Sequence, residues 1–170
     1  QIIKNAIDTD EKVIVFSQFL PFGIDKIKSA LVNDNFNCLE LTGGMSSQER
    51  DYNIELFKTD NKYNIFLCSL KAGGVGLNLE EASVVIHFDH WWNPALMWQA
   101  EDRAHRFGQT KTVKVHSFWT KNTIEEKIDN LLKSKEKMIN RLMNEIGDIS
   151  VEREVEKSFD LDDLLSIFEL

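Results

Sequence analysis

The sequence predicts an α/β fold with a doubly wound parallel sheet, helices on both of its faces and a helical extension at the C-terminal end. Two observations predict this fold. From residue 12 to residue 118, short runs rich in Ile, Val and Phe alternate with segments of helical periodicity. This alternation favours parallel strands, because a helix that crosses over between two strands returns the chain to the same edge of the sheet. The 170 residues are 42% hydrophobic, which is sufficient for one globular domain with a buried core.

Five apolar runs are predicted to form the strands, and each is short enough for a single strand. They are Lys12–Phe16, Asn37–Leu41, Asn64–Cys68, Ser83–Phe88 and Val113–Phe118. A helix after the first strand is indicated by apolar residues at helical spacing, Ile24, Ile27 and Leu31. A second helix is predicted from about Ser47 to Phe57, because Ser46 and Glu49 have the spacing of a capping box.

Residues 122–170 differ from residues 1–121 in both pattern and charge. Thr123 and Glu126 form another capping-box pair, and apolar residues at helical spacing continue after it. The tail holds 13 acidic and 7 basic residues, a net charge of −6, whereas the preceding part has a net charge of −2. We therefore expect an α/β lobe over 1–121. Over 122–170 we expect a helical brace on the sheet or a docking element for another domain.

Composition excludes several classes of protein. No apolar run approaches the roughly 20 residues of a membrane span and no signal-peptide pattern is present, so no membrane partner is expected. Cys38 and Cys68 form no C-x-x-C pair, which favours two reduced cysteines in an intracellular protein over a disulfide or metal site. The net charge of −8 does not itself indicate a nucleic-acid partner, but the nearly neutral residues 1–121 allow a local basic patch. Because the chain begins at Gln1, we expect it to be a piece of a longer protein.

The segment QAEDRAHRFGQ, Gln99 to Gln109, is the most informative motif. At about 100° per helical residue, Gln99, Arg103 and Arg106 fall within roughly a 60° arc of one helix face. Guanidinium groups are permanently charged and donate paired hydrogen bonds to phosphate oxygens. Two of them on one rigid support are the groups that phosphoryl-transfer enzymes use to stabilise developing charge.

The residues around this motif predict the bounds of its helix. Asn93 is a suitable N-cap, Pro94 suits the first helical position and Gly108 suits the C-terminal stop. A neighbouring arc is apolar and is predicted to pack on a core; it contains Met97, Ala100, Ala104 and Phe107. The alternative interpretation is a surface helix whose arginines pair only with Glu101 and Asp102.

Three loops follow predicted strands at the edge where doubly wound sheets bind ligands. The loop CSLKAGGVGLNLEEA contains Gly73, Gly74 and Gly76, which let the backbone approach a phosphate, while Ser69 and Lys71 add polar side chains. It matches neither the G-x-G-x-x-G nor the G-x-x-x-x-G-K-[ST] pattern. Tight turns also require glycine, so this loop alone does not establish a phosphate site.

The other two loops contain a tryptophan pair and a glycine pair. DHWWNP, Asp89 to Pro94, has two adjacent tryptophans, and such a side chain is suited to stack on bases or enter a DNA groove. Alternatively, one Trp is in the core and the other covers it. TGGMSSQER places Gly43 and Gly44 before a helix N-terminus, with Arg50 one turn further on, which suits either a phosphate contact or an ordinary turn.

The order and spacing of these segments resemble the second RecA-like lobe of superfamily-2 helicases, specifically the Swi/Snf-type chromatin-remodelling ATPases. The matching segments, within residues 10–132, are KVIVFSQF, LTGGMSSQER, CSLKAGGVGLNLEEASVVIHFD, HWWNPALMWQAEDRAHRFGQTKTVKVHSF and TIEEKI. The resemblance implies a RecA-like fold and an ATP-driven enzyme that translocates on double-stranded DNA.

The resemblance also implies roles for single residues. Arg103 and Arg106 match arginine fingers that reach ATP on the first lobe, and Gln99, Gly74 and Gly76 match positions at the ATP site or its linking loop. The residues in segments that the resemblance places at or along DNA are Gln18, Gly43, Gly44, Arg50, Ser69, Lys71 and Trp92. The departures from the family pattern, none of which removes a catalytic group, are Met97, Trp98 and Phe107.

Neither G-x-x-x-x-G-K-[ST] nor D-E-x-H occurs in this sequence, and these patterns supply the groups that hold ATP phosphates and Mg²⁺ in P-loop enzymes. We therefore expect ATP with Mg²⁺ to be held mainly by a first lobe of the same polypeptide, and this chain alone not to hydrolyse ATP. The other expected partners are double-stranded DNA and a DNA-bound protein substrate, in an intracellular, DNA-associated location. Two alternatives remain: a helicase lobe that separates strands, and a non-hydrolytic module that binds a nicotinamide dinucleotide through the Gly73–Gly76 loop.

Overall fold

The computed structural model describes residues 1–70, 78–90, 94–105, 108–130, 133–134 and 137, and the statements below concern these residues. Five strands are present: β1 (Lys12–Ser17), β2 (Cys38–Leu41), β3 (Ile65–Ser69), β4 (Ala82–His87) and β5 (Lys114–Ser117). All neighbouring strands are parallel, and their order across the sheet is β2-β3-β1-β4-β5. The predicted parallel sheet is confirmed, and each predicted strand lies within one residue of its observed bounds at either end.

The described helices are α1 (Ile2–Asp8), a π-helical turn (Leu20–Ile24), α2 (Asp25–Asn33), α3 (Ser47–Thr59) and α4 (Pro94–Glu101), and residues 124–130 are also helical. The predicted capping box of α3 is confirmed: the Ser46 hydroxyl accepts from the Glu49 amide at 3.3 Å, and the Glu49 carboxylate accepts from the Ser46 amide at 2.8 Å. Helix α1 and the π-helical turn are elements that the sequence pattern did not predict.

The capping pair at the start of the tail forms with shifted partners. The Thr123 hydroxyl accepts from the amide of Glu125 at 3.2 Å, and the Glu126 carboxylate accepts from the amide of Asn122 at 3.1 Å. Both bonds satisfy amide groups at the beginning of the helical residues 124–130, where no intrahelical acceptor exists. The predicted helix start is therefore confirmed.

The core lies on both faces of the sheet, with β1 at its centre between β3 and β4. On one face, residues of α1, α2, the π-helical turn and the strands form a buried cluster of Ala6, Val13, Val15, Ile24, Leu31, Ile65, Leu67, Val84 and Ile86. On the other face, Phe57 of α3 stacks on Phe66 of β3 with ring centroids 5.0 Å apart. Side chains alternate between the faces along each strand, so helices on both faces bury both sides of the sheet.

The chain divides into two compact units. One unit comprises Gln1–His90 and Gln99–Phe118, and the other takes its described residues from 91–98 and 119–137. The first unit contains the whole sheet. Among the described residues, no helix is both long enough and apolar enough to cross a membrane.

The strand order locates a topological switch point between β1 and β4. The chain leaves β1 toward β2 on one side of the sheet, whereas it leaves β4 toward β5 on the other side. Open α/β sheets bind ligands at the carboxyl ends of strands where the connections diverge in this way. The loops after β1 and β4 are therefore the candidate location of a ligand-binding site.

Candidate functional site

The ends of β1 and β4 are joined by hydrogen bonds to Asp89. One Asp89 carboxylate oxygen accepts from the Gln18 amide at 2.9 Å, and the other accepts from the Ser17 hydroxyl. The side-chain amide of Gln18 donates to the carbonyl of His90 at 3.0 Å. These bonds fix the relative positions of the loops that follow the two strands. A DNA contact by Gln18, as predicted from the resemblance, has to use its side-chain oxygen or its second amide hydrogen.

Gly23 packs closely against this hydrogen-bonded group. It is buried within the π-helical turn, and a Cβ atom built on it would lie 2.0 Å from the Ser17 hydroxyl oxygen. Such a distance is far inside van der Waals contact, so no side chain larger than a hydrogen fits here without displacing Ser17. Gly23 was not singled out from the sequence, because nothing local in LPFGI shows what lies against it.

The turn between β2 and α3 has the opposite character. Gly43 and Gly44 are exposed, and a Cβ atom built on either one meets no atom within 4 Å. Neither has a φ angle in the left-handed region that favours glycine. Within the described chain, therefore, neither packing nor backbone conformation requires glycine at these positions.

Arg50 stabilises this turn from the first turn of α3. Its Nε donates to the carbonyl of Met45 at 3.1 Å, and one terminal nitrogen donates to the carbonyl of Gly43 at 3.0 Å. The three predicted DNA-contacting residues Gly43, Gly44 and Arg50 are thus brought together in one turn. Ser69, the last residue of β3, is 6% exposed and lies in register with Ser17, so it belongs to the same edge of the sheet.

The helix predicted for the arginine motif is shorter than expected. Helix α4 begins at Pro94, as predicted, but it ends at Glu101 and does not continue to Gly108. Beyond it, the carbonyl of Arg103 accepts a hydrogen bond from the amide of Leu79 at 3.0 Å, and the amide of Ala104 donates to the carbonyl of Glu101, three residues earlier, at 3.0 Å. A tertiary hydrogen bond occupies the carbonyl that a continuing helix would need, so the prediction of one helix through this motif is wrong.

Because α4 ends at Glu101, the motif residues differ in secondary structure and in solvent exposure. Gln99 is exposed on α4, whereas Arg103 lies in the following turn and is only 5% exposed. The two side chains therefore do not share one exposed helix face, contrary to the expectation from spacing. The apolar arc is confirmed where it is described, because Met97, Ala100 and Ala104 are buried.

Gln109 closes the motif and fastens it to the sheet. Its side-chain nitrogen lies 2.8 Å from the carbonyl oxygen of Glu80, 2.7 Å from that of Ala82 and 3.3 Å from that of Ala104. Gly108 has a φ of +112°, and a Cβ atom there would lie 2.6 Å from the Glu80 carboxylate. Sequence reasoning included Gln109 in the motif but assigned it no role; its signal was its place at the end of a specific pattern.

His87, the last residue of β4, is paired with Glu101, the last residue of α4. The His87 Nε2 and Glu101 Oε1 atoms are 2.9 Å apart, and the histidine side chain is fully buried. Glu101 therefore has a partner in the sheet, in addition to any arginine that the alternative interpretation would pair with it. His87 Nδ1 is also buried, and no described residue provides it with a hydrogen-bond partner. An unsatisfied buried polar atom costs about 1–3 kcal/mol.

The amino edge of the sheet is stabilised by surface charges instead. The Glu11 carboxylate accepts from Lys114 at 2.9 Å and from the Ser83 hydroxyl at 3.0 Å. The hydrogen bond from the Lys114 ammonium lowers the pKa of Glu11. Elsewhere in the sheet, desolvation raises the pKa of the buried Cys68 thiol, and neither Cys38 nor Cys68 forms a disulfide bond. No predicted functional residue that the structure describes lies at the amino edge of the sheet.

Five of the predicted site residues lie outside the described residues, as does Gly73 of the same glycine-containing loop, and their roles stay predictions. The five are Lys71, Gly74, Gly76, Trp92 and Arg106. The same holds for Asn93 and Phe107. Among the residues that the structure does describe, no group of His, Cys, Asp or Glu side chains could hold a metal ion.

The parallel sheet, the switch-point edge and the anchored arginine motif define a class: a RecA-like lobe of a superfamily-2 ATPase. The helicase conserved C-terminal domain family matches residues 1–108, and the chain belongs to this family. Within it, the chain is the C-terminal lobe of a Swi/Snf-type ATPase, as its similarity to relatives and solved structures shows.

Among the relatives, an uncharacterized ATP-dependent helicase of Mycoplasma genitalium is 42% identical over 168 residues, which cover 99% of this chain and 16% of the relative. The ATP-dependent helicase rhp16 of Schizosaccharomyces pombe is 46% identical over 149 residues, covering 85% of this chain and 17% of that protein. The DNA repair protein RAD5A of Arabidopsis thaliana is 43% identical over 128 residues, covering 75% and 12%. This chain spans at most about one sixth of the length of these three relatives.

Two solved structures have the same fold. The C-terminal part of the Fun30 ATPase domain superposes with a TM-score of 0.74 at 41% identity, covering 77% of this chain and 42% of that one. The SWI2/SNF2 ATPase core domain of Sulfolobus solfataricus superposes with a TM-score of 0.67 at 35% identity, covering 99% and 33%. The predicted RecA-like fold is confirmed.

Proposed function

We propose that this chain is the second lobe of an ATPase that is activated by double-stranded DNA and translocates along it. In this proposal Arg103 and Arg106 are supplied to ATP that a first lobe holds together with Mg²⁺. The observation that carries the proposal is the anchoring of the arginine motif to the sheet through Glu101, Arg103 and Gln109. The names of the relatives, which include ATP-dependent helicases and a DNA repair protein, support it.

The arginine motif would act on the ATP phosphates. A guanidinium that reaches the γ-phosphate stabilises the charge that develops there during transfer, and a finger of this type contributes about 10³–10⁵ in turnover. Arg103 is 5% exposed in this chain, so it reaches ATP only if its side chain turns outward when the lobes close. The exposed Gln99 would position the nucleotide site, together with the Gly74 and Gly76 loop.

The carboxyl edge of the sheet would contact DNA. The open turn at Gly43 and Gly44 leaves its surface accessible, and Arg50 adds a positive charge beside it. Gln18 directly follows β1, and Ser69 is the last residue of the neighbouring strand β3. Together with Lys71 and Trp92, these groups favour binding to the phosphate backbone, which depends strongly on salt and little on base sequence.

The partners follow from the division of the site. We propose that the first lobe belongs to the same polypeptide, that a DNA-bound protein is the substrate displaced or remodelled, and that the location is intracellular and DNA-associated. With ATP and Mg²⁺ held by the first lobe, this chain alone is not expected to hydrolyse ATP.

The test is the ATPase rate of the full-length protein, with and without duplex DNA, for the wild type and for Arg103→Ala and Arg106→Ala. Each substitution should reduce DNA-stimulated turnover by about 10³-fold or more while ATP binding persists. The control is Lys111→Ala, which removes a nearby cation whose ammonium donates to the Asp10 carbonyl at 3.2 Å. DNA-stimulated turnover that survives both arginine substitutions would contradict the proposal.

Strand separation is the second candidate function, because several relatives are named helicases. A strand-displacement assay on a duplex with a single-stranded tail, run beside a triplex-displacement assay, distinguishes the two activities. Triplex displacement without strand separation supports translocation on intact duplex. Membership of the helicase C-terminal domain family removes the reason to consider the nicotinamide-dinucleotide alternative further.

A further inference from the structure

We infer that His87 and Glu101 act as a positioning pair that sets where the arginine motif stands relative to the sheet. This inference rests on the proposed function, and it gives a role to two residues that the resemblance left without one. His87 ends β4 and Glu101 ends α4 within the arginine motif, so their contact joins the central sheet to the motif two residues before Arg103.

The contact is well built on the histidine side. The His87 ring is fully buried and stacks on the ring of Phe16, with centroids 5.8 Å apart and planes at 22°. A ring held on its face in this way has little rotational freedom, so the direction of its Nε2 atom is fixed. Because the Glu101 carboxylate can only accept, the hydrogen in the 2.9 Å contact lies on Nε2.

The effect of the contact extends to Arg103 through the backbone. The carbonyl of Glu101 accepts from the amides of Ala104 and His105, each at 3.0 Å, and these bonds form the turn that contains Arg103. The side chain of Glu101 is therefore attached to the sheet while its carbonyl holds the turn. Displacing Glu101 would move the turn, and with it the starting point of the Arg103 side chain.

The burial of His87 argues against a role in stability alone. Its Nδ1 atom is buried without a hydrogen-bond partner among the described residues, so the ring retains an unsatisfied polar atom. A leucine at this position would pack in the core with no such atom. Glu101 is 29% exposed at its side chain, so it can be hydrated when its partner is removed. A contribution to the free energy of folding is therefore a weaker explanation for the pair than a role in fixing the position of the turn that contains Arg103.

The experiment uses the full-length protein and measures kcat, KM for ATP and the melting temperature. The variants are His87→Leu, Glu101→Leu and Glu101→Gln, of which the last keeps a side-chain acceptor oxygen. The matched control is Glu40→Leu, because Glu40 is similarly half-buried, at 32% exposed, and pairs with Lys28 at 3.0 Å on the edge strand β2.

His87→Leu and Glu101→Leu should each lower the DNA-stimulated kcat at least tenfold, with KM for ATP changed by less than threefold. The melting temperature of His87→Leu should be equal to or above that of the wild type. Glu101→Gln should recover most of the activity, and Glu40→Leu should retain it. Unchanged kcat in both leucine variants, or a loss that Glu40→Leu shares, would overturn the inference.

A double-mutant comparison separates this inference from the proposed function. If Glu101 acts through Arg103, adding Glu101→Leu to Arg103→Ala should cause no further loss of kcat. Should Arg103→Ala not fold, Arg103→Gln takes its place in the double mutant. An inactive arginine variant beside a fully active Glu101→Leu overturns only the positioning role. A fully active arginine variant overturns the proposed function, and the positioning role with it.

Discussion

Two glycine-containing turns lie at the carboxyl edge of the same sheet, and they use glycine for different reasons. In the π-helical turn after β1, a Cβ atom on Gly23 would lie 2.0 Å from the Ser17 hydroxyl oxygen. In the turn after β2, a Cβ atom on Gly43 or Gly44 would meet nothing within 4 Å. The first turn is closed by contacts within the chain, and the second is open to whatever approaches it.

The difference between the two turns shows when a glycine in a loop at the carboxyl edge of the sheet bears on ligand binding. A glycine required by internal packing says nothing about a ligand, whereas a glycine in open space leaves room for a ligand to approach the backbone closely. On this criterion, the turn of Gly43 and Gly44 is the better candidate for contact with a DNA backbone. The β1 turn is instead joined to the loop after β4 by the hydrogen bonds of Asp89.

The largest effect on stability should come from Gly23→Ala. The added methyl group overlaps the Ser17 hydroxyl and should destabilise the chain by about 3 kcal/mol. Urea unfolding monitored by circular dichroism measures this loss, and Gly44→Ala is the matched control, with the same substitution in open space. Equal unfolding midpoints for the two variants would remove the contrast between the turns.

Asp89→Ala should have the next largest effect. It removes the acceptor of both the Ser17 hydroxyl and the Gln18 amide, and charged hydrogen bonds of this kind contribute about 2 kcal/mol. The same unfolding measurement tests it, with the exposed Asp51→Ala as control. A loss below about 0.5 kcal/mol would mean that the loops after β1 and β4 are held by something other than Asp89.

Arg50→Ala should have a smaller effect on stability. Its two hydrogen bonds reach carbonyl groups in an exposed turn, where water can replace the donor, so the expected loss is about 0.5–1 kcal/mol. The affinity of the full-length protein for duplex DNA should decrease by more than the stability does. The slope of log affinity against log salt concentration should also become less negative, because one phosphate contact is lost. An unchanged salt dependence would restrict Arg50 to a structural role in the turn.

The smallest effect on stability should come from Gly43→Ala. With open space around it, the methyl group should change the unfolding free energy by no more than about 0.5 kcal/mol. If a DNA backbone approaches this turn closely, affinity for duplex DNA should nevertheless decrease. Fluorescence anisotropy with a labelled duplex measures the affinity, and a variant that binds as tightly as the wild type would argue against close approach.

Local sequence signals predicted the parts of the fold that depend on neighbours in the chain. The strands, the capping box of Ser46 and Glu49 and the start of α4 at Pro94 all follow from spacing within a few residues. The end of α4 did not, because it depends on the Leu79 amide, which comes from a distant part of the sequence. The burial of Arg103 and the packing of Gly23 against Ser17 were not predicted, because both also depend on tertiary contacts.

The candidate site was predictable to a similar extent. The resemblance grouped Gly43, Gly44 and Arg50 as candidate DNA contacts, and the structure brings them into one turn. The resemblance could not show that Arg50 donates two hydrogen bonds within that turn. It also gave no sign of the contact between His87 and Glu101, since the pair joins a strand to a helix end through side chains. Residue types at fixed spacing predict a motif, whereas its anchoring depends on tertiary contacts.

The side chain of Gln109 makes two stretches of backbone into one cooperative unit. By bonding to carbonyl groups of Glu80, Ala82 and Ala104, it ties the entrance of β4 to the turn that contains Arg103, and the bond from the Leu79 amide to the Arg103 carbonyl reinforces the tie. Segments joined in this way open together. Opening of the turn that contains Arg103 would therefore expose the Leu79 amide to solvent, so hydrogen exchange at that amide reports how often the turn opens.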